Sequence, residues 1–178
     1  MRRIGIFGGT FDPPHFGHLL LAAWARERLR LERVLFVPTG TPPHKARRLT
    51  SAARRLAMVR LAVRGEPAFR VSDLETSRHG PSFTLDTLRR VKARHPEARL
   101  YLLMGEDSLA DFPTWHEPAE IARLATLVVA VRPAPRRRSA AIRHGAFAAR
   151  GPVRVVRLGN PPLAISSSTL RARARAGL

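Results

Sequence analysis

The chain has 178 residues, 44% hydrophobic and 25% charged, which is the composition of one globular domain and not of a disordered polymer. No apolar run approaches the ~20 residues that cross a bilayer, and the absence of cysteine excludes disulfides, thiolate metal sites and cysteine catalysis. The apolar part of Met1–Phe7 is too short for a signal peptide and runs straight into a glycine turn, so no membrane association and a cytoplasmic location are expected.

The formal net charge is +19, and Lys45 and Lys92 are the only lysines among 32 basic side chains. A nucleic-acid-binding module is one reading of such a charge, because clustered cations neutralise phosphates and release counterions. The arginines, however, are scattered through every segment, with Arg136-Arg137-Arg138 the only run, and no aromatic side chains interleave with them for base stacking. An Arg-rich, Lys-poor chain is also what a GC-rich genome encodes. The charge is therefore read as composition bias that also attracts small anions, with no nucleic-acid partner expected.

Strands are expected at Arg3–Phe7, Arg33–Pro38, Phe69–Val71, Leu100–Met104, Thr126–Val131 and Val153–Leu158. Most are continuous apolar runs without alternation, as in parallel strands covered on both faces. Helical spacing marks Phe16–Leu29, Ser51–Val63, Leu85–Arg94 and Pro118–Arg123, and a last helix is expected at Ser168–Ala176. This alternation predicts an α/β fold, a doubly wound Rossmann-like parallel sheet with helices on both faces, forming one domain over residues 1–178. Pro133–Ser139 reads as an exposed loop and not as a domain boundary. Such sheets bind ligands beyond the carboxyl ends of their strands, so the segments after each strand carry the chemistry.

After the first strand comes Gly8-Gly9-Thr10-Phe11-Asp12-Pro13-Pro14-His15-Phe16-Gly17-His18. Paired glycines let the backbone approach a phosphate, and a helix start supplies N–H donors and a positive dipole end. The spacing of His15 and His18 puts them on one face of the first helical turn. Imidazoles there can donate to a phosphate whose charge grows during displacement. Neither the G-x-G-x-x-G nor the Walker pattern is present.

These residues resemble the H-x-G-H nucleotidyltransferase superfamily and, within it, the bacterial nicotinate mononucleotide adenylyltransferases. Gly8–His18 is similar to their G-G-T-F-D-P-x-H-x-G-H signature throughout, and the likeness covers nearly the whole chain. It implies that Gly8, Gly9, Thr10 and Phe11 contact ATP and that His15 and His18 are catalytic.

The following motifs are similar in turn. Pro38–Lys45 resembles the family's P-x-x-x-P-P-H-K loop, implying that His44 meets the acceptor and that Lys45 acts on phosphate as a compact point charge. The Gly80–Leu88 segment holds Ser82-Phe83-Thr84, similar to an S-Y-T turn with Phe83 in place of Tyr. Ser82 or Thr84 can cap the next helix, and the resemblance implies that both hold the pyridine nucleotide, free amides there suiting a carboxylate.

Gly105-Glu106-Asp107 resembles the family's G-x-D, implying that Gly105 and Asp107 lie beside the nucleotide. Trp115, in a Pro-flanked loop similar to L-x-x-W, is either a stacking platform for a pyridine ring or a core plug. Trp24 reads as core. Ile165–Arg171 is similar to I-S-S-(T/S)-x-I-R. Its clustered hydroxyls can be a helix cap; the resemblance implies that Ser166, Ser167, Ser168 and Arg171 grip the departing phosphates. The family continues past this point with a Tyr-Leu-Val-Pro-containing segment, whereas the sequence stops at Leu178, so a weakly buttressed last helix and undetermined oligomer contacts are expected.

The resemblance implies transfer of AMP from ATP to nicotinate mononucleotide, giving deamido-NAD and pyrophosphate in NAD biosynthesis. Mg²⁺ would arrive with ATP and make few direct protein contacts, in keeping with the lack of a carboxylate cluster in the sequence. Nicotinamide mononucleotide and phosphopantetheine are the rival acceptors; the Pro-Pro-His-Lys loop and the Trp115 segment favour the pyridine nucleotide.

Overall fold

The structure is a computed structural model describing residues 1–41, 49–78, 80–130, 153–159 and 165–178. Six strands form one sheet: β1 (Arg3–Gly9), β2 (Arg33–Pro38), β3 (Phe69–Val71), β4 (Arg99–Gly105), β5 (Ala125–Ala130) and β6 (Val155–Leu158). Their spatial order is β3-β2-β1-β4-β5-β6, and every pairing is parallel. The chain therefore reverses its winding direction between β3 and β4. β1 lies between β2 and β4, and the crevice at the carboxyl end of β1 is the switch point at which such sheets bind nucleotides.

Alternate strand residues feed two apolar layers. Ile4 and Ile6 of β1, Leu100, Leu102 and Met104 of β4, and Leu127 and Val129 of β5 face one layer. Leu85, Leu88 and Val91 of α3 (Thr84–Arg94) and Ile121 of α5 (Pro118–Leu124) cover it. Phe7, Phe36, Tyr101, Leu103 and Val128 point the other way, under α1 (Phe16–Leu29) and α2 (Ala52–Ala62). The period-2 pleat splits each strand between the faces, so both must be apolar. Ala22 and Ala25 make the buried stripe of α1 small, which lets that helix sit close to the sheet. Trp24 packs half-buried at the margin of this layer, in line with its core reading.

The expected elements are present, β2, β3 and α1 with the expected bounds and the rest with ends moved by one or two residues. Ser51 is the N-cap of α2, its hydroxyl accepting from the Arg54 N–H. Two short elements were not anticipated. Glu106–Asp111 is a helix, α4, followed by a 3₁₀ turn at Phe112–Thr114. Both acidic residues of its first turn favour a helix start there, but six residues are too few for a periodic pattern to show in sequence. The Pro133–Ser139 loop lies outside the described residues.

Candidate active site

The loop leaving β1 is built around an aromatic floor. Phe11 takes a left-handed backbone conformation (φ 48°), which costs a non-glycine residue about 1–2 kcal/mol. Burial of its ring against Phe7, Phe36 and His18 offsets that, at about 1.5–3 kcal/mol for a phenylalanine. A Cβ at Gly9 would come within 3.0–3.2 Å of the Phe11 ring, so the second glycine is needed for the ring to fold back over the strand end. The Phe11 side chain is thus a support beneath His18; only its main chain can face a nucleotide. Gly8 is exposed at the strand end, and Gly9 and Thr10 are half-buried.

His15 is the N-cap of α1 with extended backbone, and His18 is the third helical residue. Their rings stack with centroids 3.8 Å apart and planes 29° from parallel. The main-chain N–H of His15 donates to His18 Nδ1 at 3.1 Å. This is the N3-to-cap half of a capping box, with an imidazole in place of a carboxylate accepting from the cap N–H. A ring that accepts at Nδ1 carries its proton at Nε2, which makes Nε2 the donor toward any ligand.

The C-terminal motif reaches the same loop. The Ser167 hydroxyl donates to the Pro13 carbonyl at 2.8 Å, and Arg171 donates to the Asp12 carbonyl and to Ser168 Oγ. Helix α6 (Ser167–Arg175) has no fully buried residue, so these polar bonds are prominent among the contacts that dock it. Ser166 is its N-cap, with Oγ accepting from the Thr169 N–H at 3.1 Å, so the capping reading of that serine is realised. The N–H groups of Ser167 and Ser168 at the start of α6 therefore lie beside the histidine loop, while that of Thr169 is taken by the cap.

Across the crevice, the turn before α3 is placed by pairing with the loop after β2. Thr41 and Pro81 form a parallel bridge, and the Ser82 N–H donates to the Thr41 carbonyl at 3.1 Å. The expectation of free donors at Ser82–Thr84 is corrected here: the Ser82 amide is engaged, and the α3 cap position is Phe83, with no side-chain cap bond from Ser82 or Thr84. The Ser82 hydroxyl is buried without a partner at ordinary hydrogen-bond distance, although it lies near enough to the Glu75 carboxylate to favour its ionised form. Thr84, half-buried, opens the helix.

Trp115 is half-buried, edge-on to the fully buried Phe112 with centroids 5.6 Å apart, at the margin of the first apolar layer. Its neighbour His116 pairs with the Phe83 ring at 4.5 Å. The aromatic loop after α4 and the α3 turn thus meet, a contact that sequence separation hid. Gly105 is the cap residue of α4, and Asp107 is exposed on its first turn. His44 and Lys45 lie outside the described residues.

Two buried charged residues were not singled out from the sequence. Arg55 is 1% exposed, and Glu75 is 5% exposed with its carboxylate accepting from the Thr87 hydroxyl at 2.7 Å. Burial pushes the Glu75 carboxyl above its usual range; the Thr87 bond and the charge of Arg78 oppose this in part. For Arg55 a signal existed. Arg55, Val59 and Val63 stand four apart along one helical stripe, and a cation in an apolar stripe has a partner to find.

Among the described residues no group of three His, Asp or Glu side chains is arranged to hold a metal ion, and no helix is long and apolar enough to cross a membrane.

A family model described as cytidylyltransferase-like matches residues 6–173. Over 99% of its length the chain is 48% identical to a protein of Thermomicrobium roseum, covering 82% of that protein, and 40% identical to one of Geobacillus kaustophilus, covering 77%. Both carry the name "Probable nicotinate-nucleotide adenylyltransferase". The solved structure of Plasmodium falciparum nicotinic acid mononucleotide adenylyltransferase complexed with NaAD superposes with a TM-score of 0.77 at 21% identity, over 97% of this chain and 83% of that one, and shows the shared fold. The chain belongs to the cytidylyltransferase-like nucleotidyltransferases and, within them, to the nicotinate-nucleotide adenylyltransferase family.

Proposed function

We propose that the chain transfers AMP from ATP to nicotinate mononucleotide, giving deamido-NAD and pyrophosphate. The observation that carries this reading is the meeting of two distant motifs on one loop: the stacked His15 and His18, and the Ser167 and Arg171 bonds to Pro13 and Asp12.

An acceptor 5′-phosphate oxygen attacks the α-phosphorus in line, forming one P–O bond as the bond to the bridging oxygen of pyrophosphate breaks. The nucleophile is already anionic and needs no base, so catalysis consists of positioning and charge stabilisation. His18 Nε2 and His15 donate to the non-bridging oxygens. Arg171, the first-turn amides of α6 and Lys45 receive the departing phosphates. Mg²⁺ carried with ATP would supply charge neutralisation at the triphosphate, with few direct protein ligands. Asp12 fits that assignment, because it is buried and its carboxylate accepts from the Thr50 N–H instead of standing open to an ion. A reaction drawing on ATP also agrees with a cytoplasmic location.

The pyridine ring takes the aromatic side of the crevice, near Trp115, Phe83 and His116, with its carboxylate toward the first-turn amides of α3. A donor-lined site matches a carboxylate and leaves the NH₂ of an amide facing donors, a mismatch of about 1–3 kcal/mol. Pyrophosphate release is therefore expected with ATP and nicotinate mononucleotide, about tenfold to several hundredfold better in kcat/KM than with nicotinamide mononucleotide, and absent with phosphopantetheine. Trp115→Ala raises acceptor KM and leaves the acid-to-amide ratio unchanged. A preference for the amide substrate overturns the carboxylate assignment, and an unchanged KM returns Trp115 to the core alone.

A further inference from the structure

We infer that Arg55 is a positioning residue that couples the ATP site to the acceptor site, one buried guanidinium holding the carbonyls of Thr10 and Gly40 at a fixed spacing. The inference rests on the proposed adenylyl transfer for which substrate each side receives.

Arg55 stands on the first turn of α2 and donates into three separate segments. Nη1 reaches the Thr10 carbonyl at 2.9 Å, Nη2 the Gly40 carbonyl at 3.1 Å, and Nε the Thr50 carbonyl at 2.9 Å. Thr10 opens the loop that carries His15 and His18. Gly40 precedes Thr41, whose carbonyl accepts from Ser82 at the acceptor turn. Thr10 and Ser82 are thus linked by three hydrogen bonds, two of them made by one planar group with fixed angles. Position 40 has no room for a side chain: a Cβ there would lie 2.2 Å from the Glu75 carbonyl oxygen. On that side the Glu75 carboxylate is fastened to α3 through Thr87.

Stability alone does not explain the arrangement. A buried guanidinium loses its hydration, and an apolar residue of similar volume often serves a core as well or better. Burial weakens the hold of Arg55 on its proton, and the carboxylates of Asp12 and Glu75 oppose that loss. What an apolar residue cannot do is fix two strand-end carbonyls relative to each other. In-line transfer requires that kind of constraint, because reacting atoms must be held about 3–3.5 Å apart. Lysine cannot replace it, since an ammonium is a point charge without a fork.

The test is hydrogen exchange at the Ser82 amide, whose bond to Thr41 reports the acceptor turn, with and without α,β-methylene-ATP. In the wild type the analogue slows Ser82 exchange about fivefold or more, the lower end of ordinary coupling between sites. In Arg55→Lys the analogue still binds within about threefold of wild type, yet the slowing is lost and kcat falls at least tenfold, as expected for lost alignment. Core peptides of β4 and β5 in the same spectra report folding, and Arg55→Gln is used if the lysine variant does not fold. Wild-type Ser82 exchange indifferent to a bound analogue overturns the proposal, and so does full transmission in a folded Arg55 variant. Failure of the wild type to bind the analogue at all would instead strike the proposed function. A wrong choice of acceptor leaves the exchange measurement intact.

Discussion

The main-chain N–H of His15 donates to His18 Nδ1 at 3.1 Å, and the two imidazoles stack 3.8 Å apart at the carboxyl end of β1. One histidine therefore orients the other through the backbone, and the proton of the His18 ring is directed to Nε2. The T-shaped contact of Phe11 fixes the ring plane from below.

This tautomer separates two conservative substitutions. Glutamine places an amide NH₂ near the Nε2 position and asparagine places one near Nδ1. His18→Ala should lower kcat by about a hundredfold, the usual size for losing a donor to a charge that grows in the transition state. His18→Gln should retain about tenfold more activity than His18→Asn. Single-turnover rates with saturating substrates measure this. Equal activity of the two amide variants would remove the Nε2 assignment.

Arg171 is tied to the Asp12 carbonyl and to Ser168, on a helix without a buried residue. Arg171→Ala should weaken ATP binding by about 1.5–3 kcal/mol, the range of a hydrogen bond to a charged group, and leave AMP binding nearly unchanged. Thermal unfolding should shift modestly, because the bonds removed tie the last helix to the β1 loop and leave the apolar core intact. Calorimetric titration with both nucleotides decides the matter, and equal losses for ATP and AMP would make the arginine purely structural.

Glu75 provides a stability prediction with a definite sign. Its carboxyl titrates above the ordinary value of 4.5 in the folded chain, chiefly because burial disfavours the anion. The folded state therefore holds this proton more tightly than the unfolded one. The contribution to stability is fully present below the ordinary carboxylate value and is lost as pH rises through the raised folded value. Glu75→Gln cannot titrate, so its stability relative to wild type should improve as pH is raised from about 4 to 7. Urea unfolding at several pH values checks this. A difference independent of pH would show that Glu75 titrates normally.

Much of this architecture was legible along the chain. The apolar runs of β1, β2, β4 and β5, the helices between them and their parallel order follow from local pattern, since period and length distinguish buried strands from amphipathic helices. The Gly8–His18 and Ile165–Arg171 motifs were legible as a candidate phosphate site through their resemblance to a nucleotidyltransferase family, since glycines and helix starts suit anions. Only the tertiary structure decided how these pieces are wired. The Ser82 amide pairs with Thr41, not with an open site, because the β2 loop runs beside the α3 turn. Trp115 rests on Phe112 while His116 turns to Phe83, a division set by where α4 ends. Arg55, one cation among 32 basic residues, becomes distinctive only when folding removes it from water and leaves three carbonyls within its reach. Sequence pattern records which residues must be buried; the partners of this buried guanidinium come from positions 5, 15 and 45 residues away, and their convergence exists only in the folded chain.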